Sequence, residues 1–286
     1  MSPGSKGVLL MVLASGCFTS MSALVKALGP QFPFVEAAFF RALFGLPMVL
    51  ALLVRKHVSL RSDHKRLMLV RGLAGSGAMG CYFFALQHGK LAEVIIVART
   101  HPVLVAIIAP LILAERTPRV VFGVMSVSFV GVALVIKPSA GDFSSAALVA
   151  FAATCFSAVA HTLVRKLRAS EPPERIVIYL NVIVGVAAGV ASLPVFVWPS
   201  WREVWLLVGV AALATVGQLS MTHAYGHDKA PVISTAGHAG ILFALGIGWI
   251  AWREVPDTLS LVGGGLILAA GVSLAFMRRE TLPPSA

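Results

Sequence analysis

Two basic side chains sit where an apolar chain has least reason to keep them. Arg99 lies deep in the run 91–114, and His238 is the eighth residue of the run 231–252. At the centre of a bilayer an arginine costs from about 2.5 to more than 10 kcal/mol unless it meets water or a partner. Arg99 is therefore expected to face the protein interior. A guanidinium there can hold a carboxylate through two hydrogen bonds. A histidine near its ordinary pKa of about 6.5 can exchange a proton. The competing reading pairs Arg99 with helix carbonyls or Glu93, so that it only locks helices together.

Tyr82, His101 and Gln218 are further candidate ligand contacts. Tyr82 shares a helix face with Arg71, Gly75, Ala78 and Ala85, where it could stack on a ligand, hydrogen-bond to it, or serve packing. Gln218 and Asn181 are uncharged polar residues that could equally bridge helices. His101 is two residues beyond Arg99, about 200° round an ideal helix, which favours a packed histidine. Pro102 complicates this. It lacks a backbone donor and clashes with the carbonyl of Ala98, so a kink is predicted where Arg99 sits. On the run 66–87, Gly72, Ser76 and Gly80 repeat every fourth position, the spacing that lets helix backbones approach closely.

Other chemistry finds little support. His223 and His227 are one helical turn apart with Asp228 following, but no third ligand lies nearby and no metal site is expected. No phosphate-cradling glycine loop, nucleophile elbow or HExxH occurs, so neither a cofactor nor an enzymatic reaction is expected. Cys17, Cys81 and Cys155 fall inside apolar runs without paired spacing and read as small hydrophobes.

These residues must be positioned by membrane helices. Hydrophobic residues make up 58% of the chain and charged residues 12%, against about 25% charged in soluble domains. Mean hydropathy is +0.88. Apolar runs near 20 residues recur along the whole chain, the length that spans a bilayer. Breaks at charges, prolines and glycines predict ten helices: 7–26, 33–54, 66–87, 91–114, 119–136, 143–164, 176–198, 203–226, 231–252 and 258–277. The fold class is all-α and polytopic. The net charge of +11 then concerns orientation rather than nucleic acid. With the N-terminus placed in the cytoplasm, 15 Lys and Arg fall on that side and five on the other, while Arg41, Arg71 and Arg99 lie within spans. Both termini are therefore expected to be cytoplasmic, in the cell's inner membrane.

The chain also matches itself. A shift of 139 residues places Ala85 on Ala224, His88 on His227, Lys90 on Lys229 and Glu115 on Glu254, and it brings Lys26 to Arg165 and Arg99 to His238. A shift of 140 aligns Gly123 with Gly263 and Gly131 with Gly271. Five spans per half is an odd number, so the halves must be inverted, with repeats at 1–138 and 139–286. Glu115 and Glu254 end corresponding helices at opposite faces. A carboxylate opposes the dipole at a helix C-terminus, so each is expected to have a basic or backbone-donor partner and a structural or gating role.

Arg41, the run RGLAGSGAMGCYFFALQHGKLAEV, Pro102, the paired Glu115 and Glu254, and the spaced glycines of helices five and ten together give the sequence its likeness. It resembles the drug/metabolite transporter superfamily, and specifically its EamA-type ten-helix members. The resemblance implies five-plus-five inverted repeats around a central cavity, small metabolites such as amino acids as substrates, alternating access, and Arg41 as a candidate for closing a gating network. The expected function is a secondary transporter, in the export direction, for a small molecule bearing a carboxylate, with protons as a candidate coupling ion and the lipid bilayer as its setting. Two other classes stand beside it. Carriage of S-adenosylmethionine-like or cationic drug-like compounds stays open, although a small-multidrug exporter would need a carboxylate in the first helix, which has none. A membrane enzyme acting on lipid would need reactive groups clustered at one interface, and here the charges are scattered.

Overall fold

The computed structural model describes residues 3–98, 100–113, 120–136, 144–227, 233 and 236–280. Arg99 and Glu115 lie outside the described residues. Within them the chain forms α1 (Pro3–Leu28), α2 (Phe34–Arg55), α3 (Lys65–His88), α4 (Leu91–Ala98), α5 (His101–Leu113), α6 (Val120–Ile136), α7 (Ser145–Leu167), α8 (Pro173–Ser192), α9 (Trp201–Ala224), α10 (Ala239–Trp252) and α11 (Thr258–Glu280). A 3-10 turn, Leu193–Val195, follows α8. The described residues contain no strand, as hydrocarbon requires when no barrel closes: only a helix satisfies every backbone donor within its own segment. Among the described residues seven segments, Glu93–Ile112 one of them, are long and apolar enough to cross a membrane, and α10 and Thr258–Ala270 are shorter apolar helices.

The expected fourth span is interrupted where the kink is predicted, with Thr100 in a turn. α4 ends at Ala98 and α5 begins at His101. Between them the Thr100 backbone N–H donates to Val97 O at 3.1 Å, and its hydroxyl donates to the same carbonyl at 2.6 Å. Pro102 has no N–H to continue the ladder, so the break falls where a proline forces one. The ninth span breaks at the matching place. Gly237 and His238 form a turn before α10, with Gly240 N bonded to Gly237 O and Ile241 N to His238 O, at 3.0 and 2.9 Å.

Packing follows a two-fold rule. α1 lies along α9 as α3 lies along α7, and α2·α9 is mirrored by α3·α8. The pairs α2·α8 and α6·α11 map onto themselves when the halves are exchanged, and α4 packs on α10. The protein is an all-α polytopic bundle of two inverted halves. Close approaches use small residues. A Cβ on Gly131 of α6 would stand 2.6 Å from Gly263 O of α11, and one on Gly72 would run into Ile183 of α8. The expected packing stripe of α3 is incomplete, however, because Gly80 has nothing within 4 Å.

Polarity is inside out relative to a soluble protein. Leu111, Leu242 and Ile250 are more than two-thirds exposed, while Glu36, Arg41 and Arg71 are buried. The outer surface is the one that meets lipid.

The two ends differ. At one, all five tryptophans gather at 198, 201, 205, 249 and 252, the enrichment found at membrane interfaces. There Glu36 Oε1 accepts from Val197 N at 2.7 Å. At the other end Lys56 pairs with Glu174 at 2.6 Å, with His223 Nε2 3.6 Å from the same carboxylate. Glu171, beside them, accepts from Ser62, Arg175 and His64 at 2.5, 2.6 and 3.3 Å. Burial works against its charge, but these hydrogen bonds outweigh it and hold the carboxyl below its ordinary value.

Candidate functional site

A cavity of about 230 Å³ lies between the halves. It is walled by α1, α2, α3, α7, α8 and α9, with Ala98, His101 and Gly237 reaching it from the two broken spans. Those breaks position the site, because an interrupted helix turns backbone groups toward the interior. Ser15 of α1 donates to Gly237 O at 3.1 Å, and Thr19, one turn on, donates to Gly240 O at 3.4 Å. Two hydroxyls thus serve carbonyls at the break.

The cavity's charged lining is basic. Arg41 and Arg71 both face it, 4% and 2% exposed. Arg41 Nη1 contacts Met79 Sδ at 3.4 Å. Arg71 Nη1 lies over Gly75, where a Cβ would stand 3.2 Å from it, so that glycine leaves the guanidinium its place against α3. Neither arginine has a carboxylate partner among the described residues, and no Asp or Glu is in the described lining. Beside them His161 Nδ1 and His101 Nε2 share a hydrogen bond at 2.7 Å, and Tyr225 lies 5.9 Å from the His161 ring. The Tyr82 hydroxyl bonds Ser22 Oγ at 3.1 Å. Phe18, Met11, Met21, Met79 and Met221 supply apolar wall.

Of the residues singled out from sequence, Tyr82, His101 and Gln218 all line this cavity. The face Arg71–Gly75–Ala78–Tyr82 of α3 is the one turned to it, while Ala85 is buried in the core. His238 is buried at the N-cap of α10, adjacent to Gly237 of the lining but not itself in it. Arg41 belongs to the cavity wall. Asn181 packs away from it, where a Cβ on Gly45 would stand 3.2 Å from Asn181 Nδ2 and 3.0 Å from Thr215 Oγ1. His223 sits in the Glu174 ion pair. Among the described residues no three His, Cys, Asp or Glu side chains converge as a metal site would require.

Glu254 lies at the tryptophan-rich end. The C-terminal turn of α10 closes through Arg253 in the left-handed region, φ 55°, with Glu254 N bonded to Gly248 O at 3.1 Å. This throws the Glu254 side chain across to the first half. There Lys26 Nζ meets Oε1 at 2.6 Å, and Leu91 N, at the start of α4, donates to Oε2 at 3.0 Å. Lys26 also donates to Gly89 O at 2.7 Å and lies 5.5 Å from the Trp252 ring centroid.

Sequence reasoning missed Arg71 and His161 as site residues. Both are ionisable groups inside apolar spans, the signal that drew attention to Arg99. Nothing local links His161 to His101, 60 positions away. The lining also obeys the 139-residue shift. Ser15 and Thr154, Phe18 and Ser157, Met21 and Ala160, Arg41 and Leu180, Met79 and Gln218, Tyr82 and Met221, and Ala98 and Gly237 are all shift partners that reach the cavity.

An inverted-repeat helical bundle closed around one solute-sized chamber is the build of a membrane transporter. Residues 5–137 match the EamA-like transporter family. The pseudopaline exporter of Pseudomonas aeruginosa is 35% identical over 271 residues, covering 94% of this chain and 95% of that protein. The riboflavin transporter of Vibrio cholerae is 24% identical, covering 95% and 92%. A solved crystal structure at 18% identity superposes with a TM-score of 0.71 over 97% of this chain and 99% of its own, a likeness of fold. The chain belongs to the EamA-like transporter family. It is a transporter of small metabolites, not an enzyme.

Proposed function

We propose that the protein exports small carboxylate-bearing metabolites across the cytoplasmic membrane by alternating access. The observation that carries this reading is the described cavity lining, which holds Arg41, Arg71 and two histidines and no acidic side chain. A buried guanidinium is the side chain best shaped to hold a carboxylate. A cationic cargo would meet like charge and find no counter-charge there. Amino acids and other small organic acids are the candidate substrates. The likeness to a named exporter supports the outward direction.

In this reading the repeats 1–138 and 139–286 rock about the cavity, with both termini in the cytoplasm as the 15-to-five distribution of Lys and Arg favours. Arg41 and Arg71 hold the anion, with Tyr82, His101 and Gln218 beside it. Arg99 and His238 are assigned to the same site on their depth in the sequence. Glu254 latches the outer end through Lys26, and Glu115 serves the inner end. Protons are the coupling ion, exchanged at a cavity histidine.

Everted membrane vesicles offer the test. Vesicles containing the protein should accumulate labelled amino acids or other small carboxylates above empty vesicles, and collapsing the proton gradient should slow them. No accumulation across a broad panel of carboxylates would overturn the reading. So would equal activity in Arg41→Leu and Arg71→Val variants that keep the wild-type melting profile.

A further inference from the structure

The two cavity arginines stand on different elements and share one deficit. Arg41 Nε of α2, Arg71 Nε and Nη1 of α3, and Gln218 Nε2 of α9 are buried nitrogen donors without an acceptor among the described residues. All four belong to residues that line the cavity, and these residues are 2–6% exposed. Buried donors are almost always satisfied. A guanidinium removed from water demands an anion more strongly than any neutral group does. The imbalance is one-sided, since the unmet atoms on these three residues are donors only.

One carboxylate can neutralise one guanidinium. A zwitterionic amino acid would satisfy Arg41 or Arg71, leave the other uncompensated, and bring an ammonium group near both. From this we infer that the ligand carries at least two carboxylates, one taken by Arg41 and one by Arg71, with the Gln218 amide donating to one of them. The apolar wall of Phe18, Met79 and Met221 takes the linking carbon skeleton. This specificity rests on the reading of the cavity as the substrate site, and it narrows that reading from carboxylates in general to compounds with two or more.

The intact protein, purified in detergent at fixed ionic strength, separates the two claims by thermal unfolding. The probes are butyrate and alanine with one carboxylate, glutarate with two, tricarballylate with three, and sulfate as a compact dianion. Glutarate and tricarballylate should raise the unfolding temperature at concentrations at least tenfold lower than butyrate, alanine or sulfate need. Arg41→Gln and Arg71→Gln should each erase that tenfold preference while leaving response to butyrate. Equal response to glutarate and butyrate would overturn the two-carboxylate inference and leave the broader carboxylate reading standing. A sulfate response equal to that of glutarate would overturn it too, by showing one compact anion site. Silence toward every carboxylate would sink both. The ligand series on the unaltered protein decides these outcomes even where a variant fails to fold.

Discussion

The two halves of the bundle meet the cavity at matched positions and bring different chemistry to them. Ser15 and Thr154 keep small hydroxyl side chains at equivalent places, and Ala98 and Gly237 mark equivalent breaks. Where the ligand would be gripped, the match ends. Arg41 faces Leu180 across the pseudo-two-fold, Arg71 corresponds to Val210, Tyr82 to Met221, and Gln218 to Met79. Packing can be duplicated because each half makes the same set of helix interfaces. Binding chemistry cannot, since a second arginine pair would add buried charge that a single small ligand could not neutralise. On the function proposed above, the symmetric part of the sequence would carry the motion and the asymmetric part recognition.

Substitutions that make one half copy the other test this division. The largest effect is expected from Arg71→Val, which gives the first half the residue of the second. Transport of a carboxylate cargo should fall about 10- to 100-fold, the worth of a charge-assisted hydrogen bond, with unfolding temperature held or raised because a buried charge is removed. Arg41→Leu should act alike. Next comes the link between the halves at the tryptophan-rich end. Glu254→Ala takes the side-chain acceptor from Leu91 N and the counter-charge from Lys26, which keeps only Gly89 O, and should cost about 1–3 kcal/mol in denaturant unfolding. Gln218→Met, which copies Met79, removes a neutral donor. It should raise KM about 2- to 10-fold, equivalent to about 0.5–1.5 kcal/mol, at unchanged expression.

A smaller effect belongs to Glu171 at the opposite end. Its folded pKa is depressed, so its stabilisation is complete above the ordinary value of 4.5 and is lost as pH falls below it. Melting curves between pH 7 and pH 3.5 should show this loss, and Glu171→Gln should lower stability at pH 7 while flattening the acid limb. The smallest expected effect is Lys90→Ala, which breaks a half-exposed Lys90–Glu93 pair at 3.3 Å and should change stability by no more than about 0.5 kcal/mol.

Much of the fold was legible because membrane helices advertise their length and their breaks. The spans followed from apolar runs, the interruption near Ala98 from Pro102, and the inverted halves from the recurrence of rare residues. The cavity-facing side of α3 could also be read, since Arg71, Gly75, Ala78 and Tyr82 recur at helical spacing. Long-range partnership was not readable. His101 and His161 come together only because α5 packs on α7. Angular reasoning along the fourth span assumed one continuous helix, whereas Thr100 stands in a turn before α5. Arg71 was seen within a span, but that no described carboxylate reaches it depends on the other helices that wall the cavity, which its sequence neighbourhood does not reveal.

The placement of every tryptophan at one end makes the protein its own optical reporter. Emission excited through indole samples that end and nothing of the opposite one, so quenchers confined to one leaflet should extinguish it strongly from one side and weakly from the other. The Trp252 ring centroid lies 5.5 Å from Lys26 Nζ, the same nitrogen that pairs with Glu254. Parting of that contact would change its surroundings at once. Opening of this end in a transport cycle could then be timed in the unlabelled protein by stopped-flow fluorescence, with Glu254→Ala supplying the signal of the parted state.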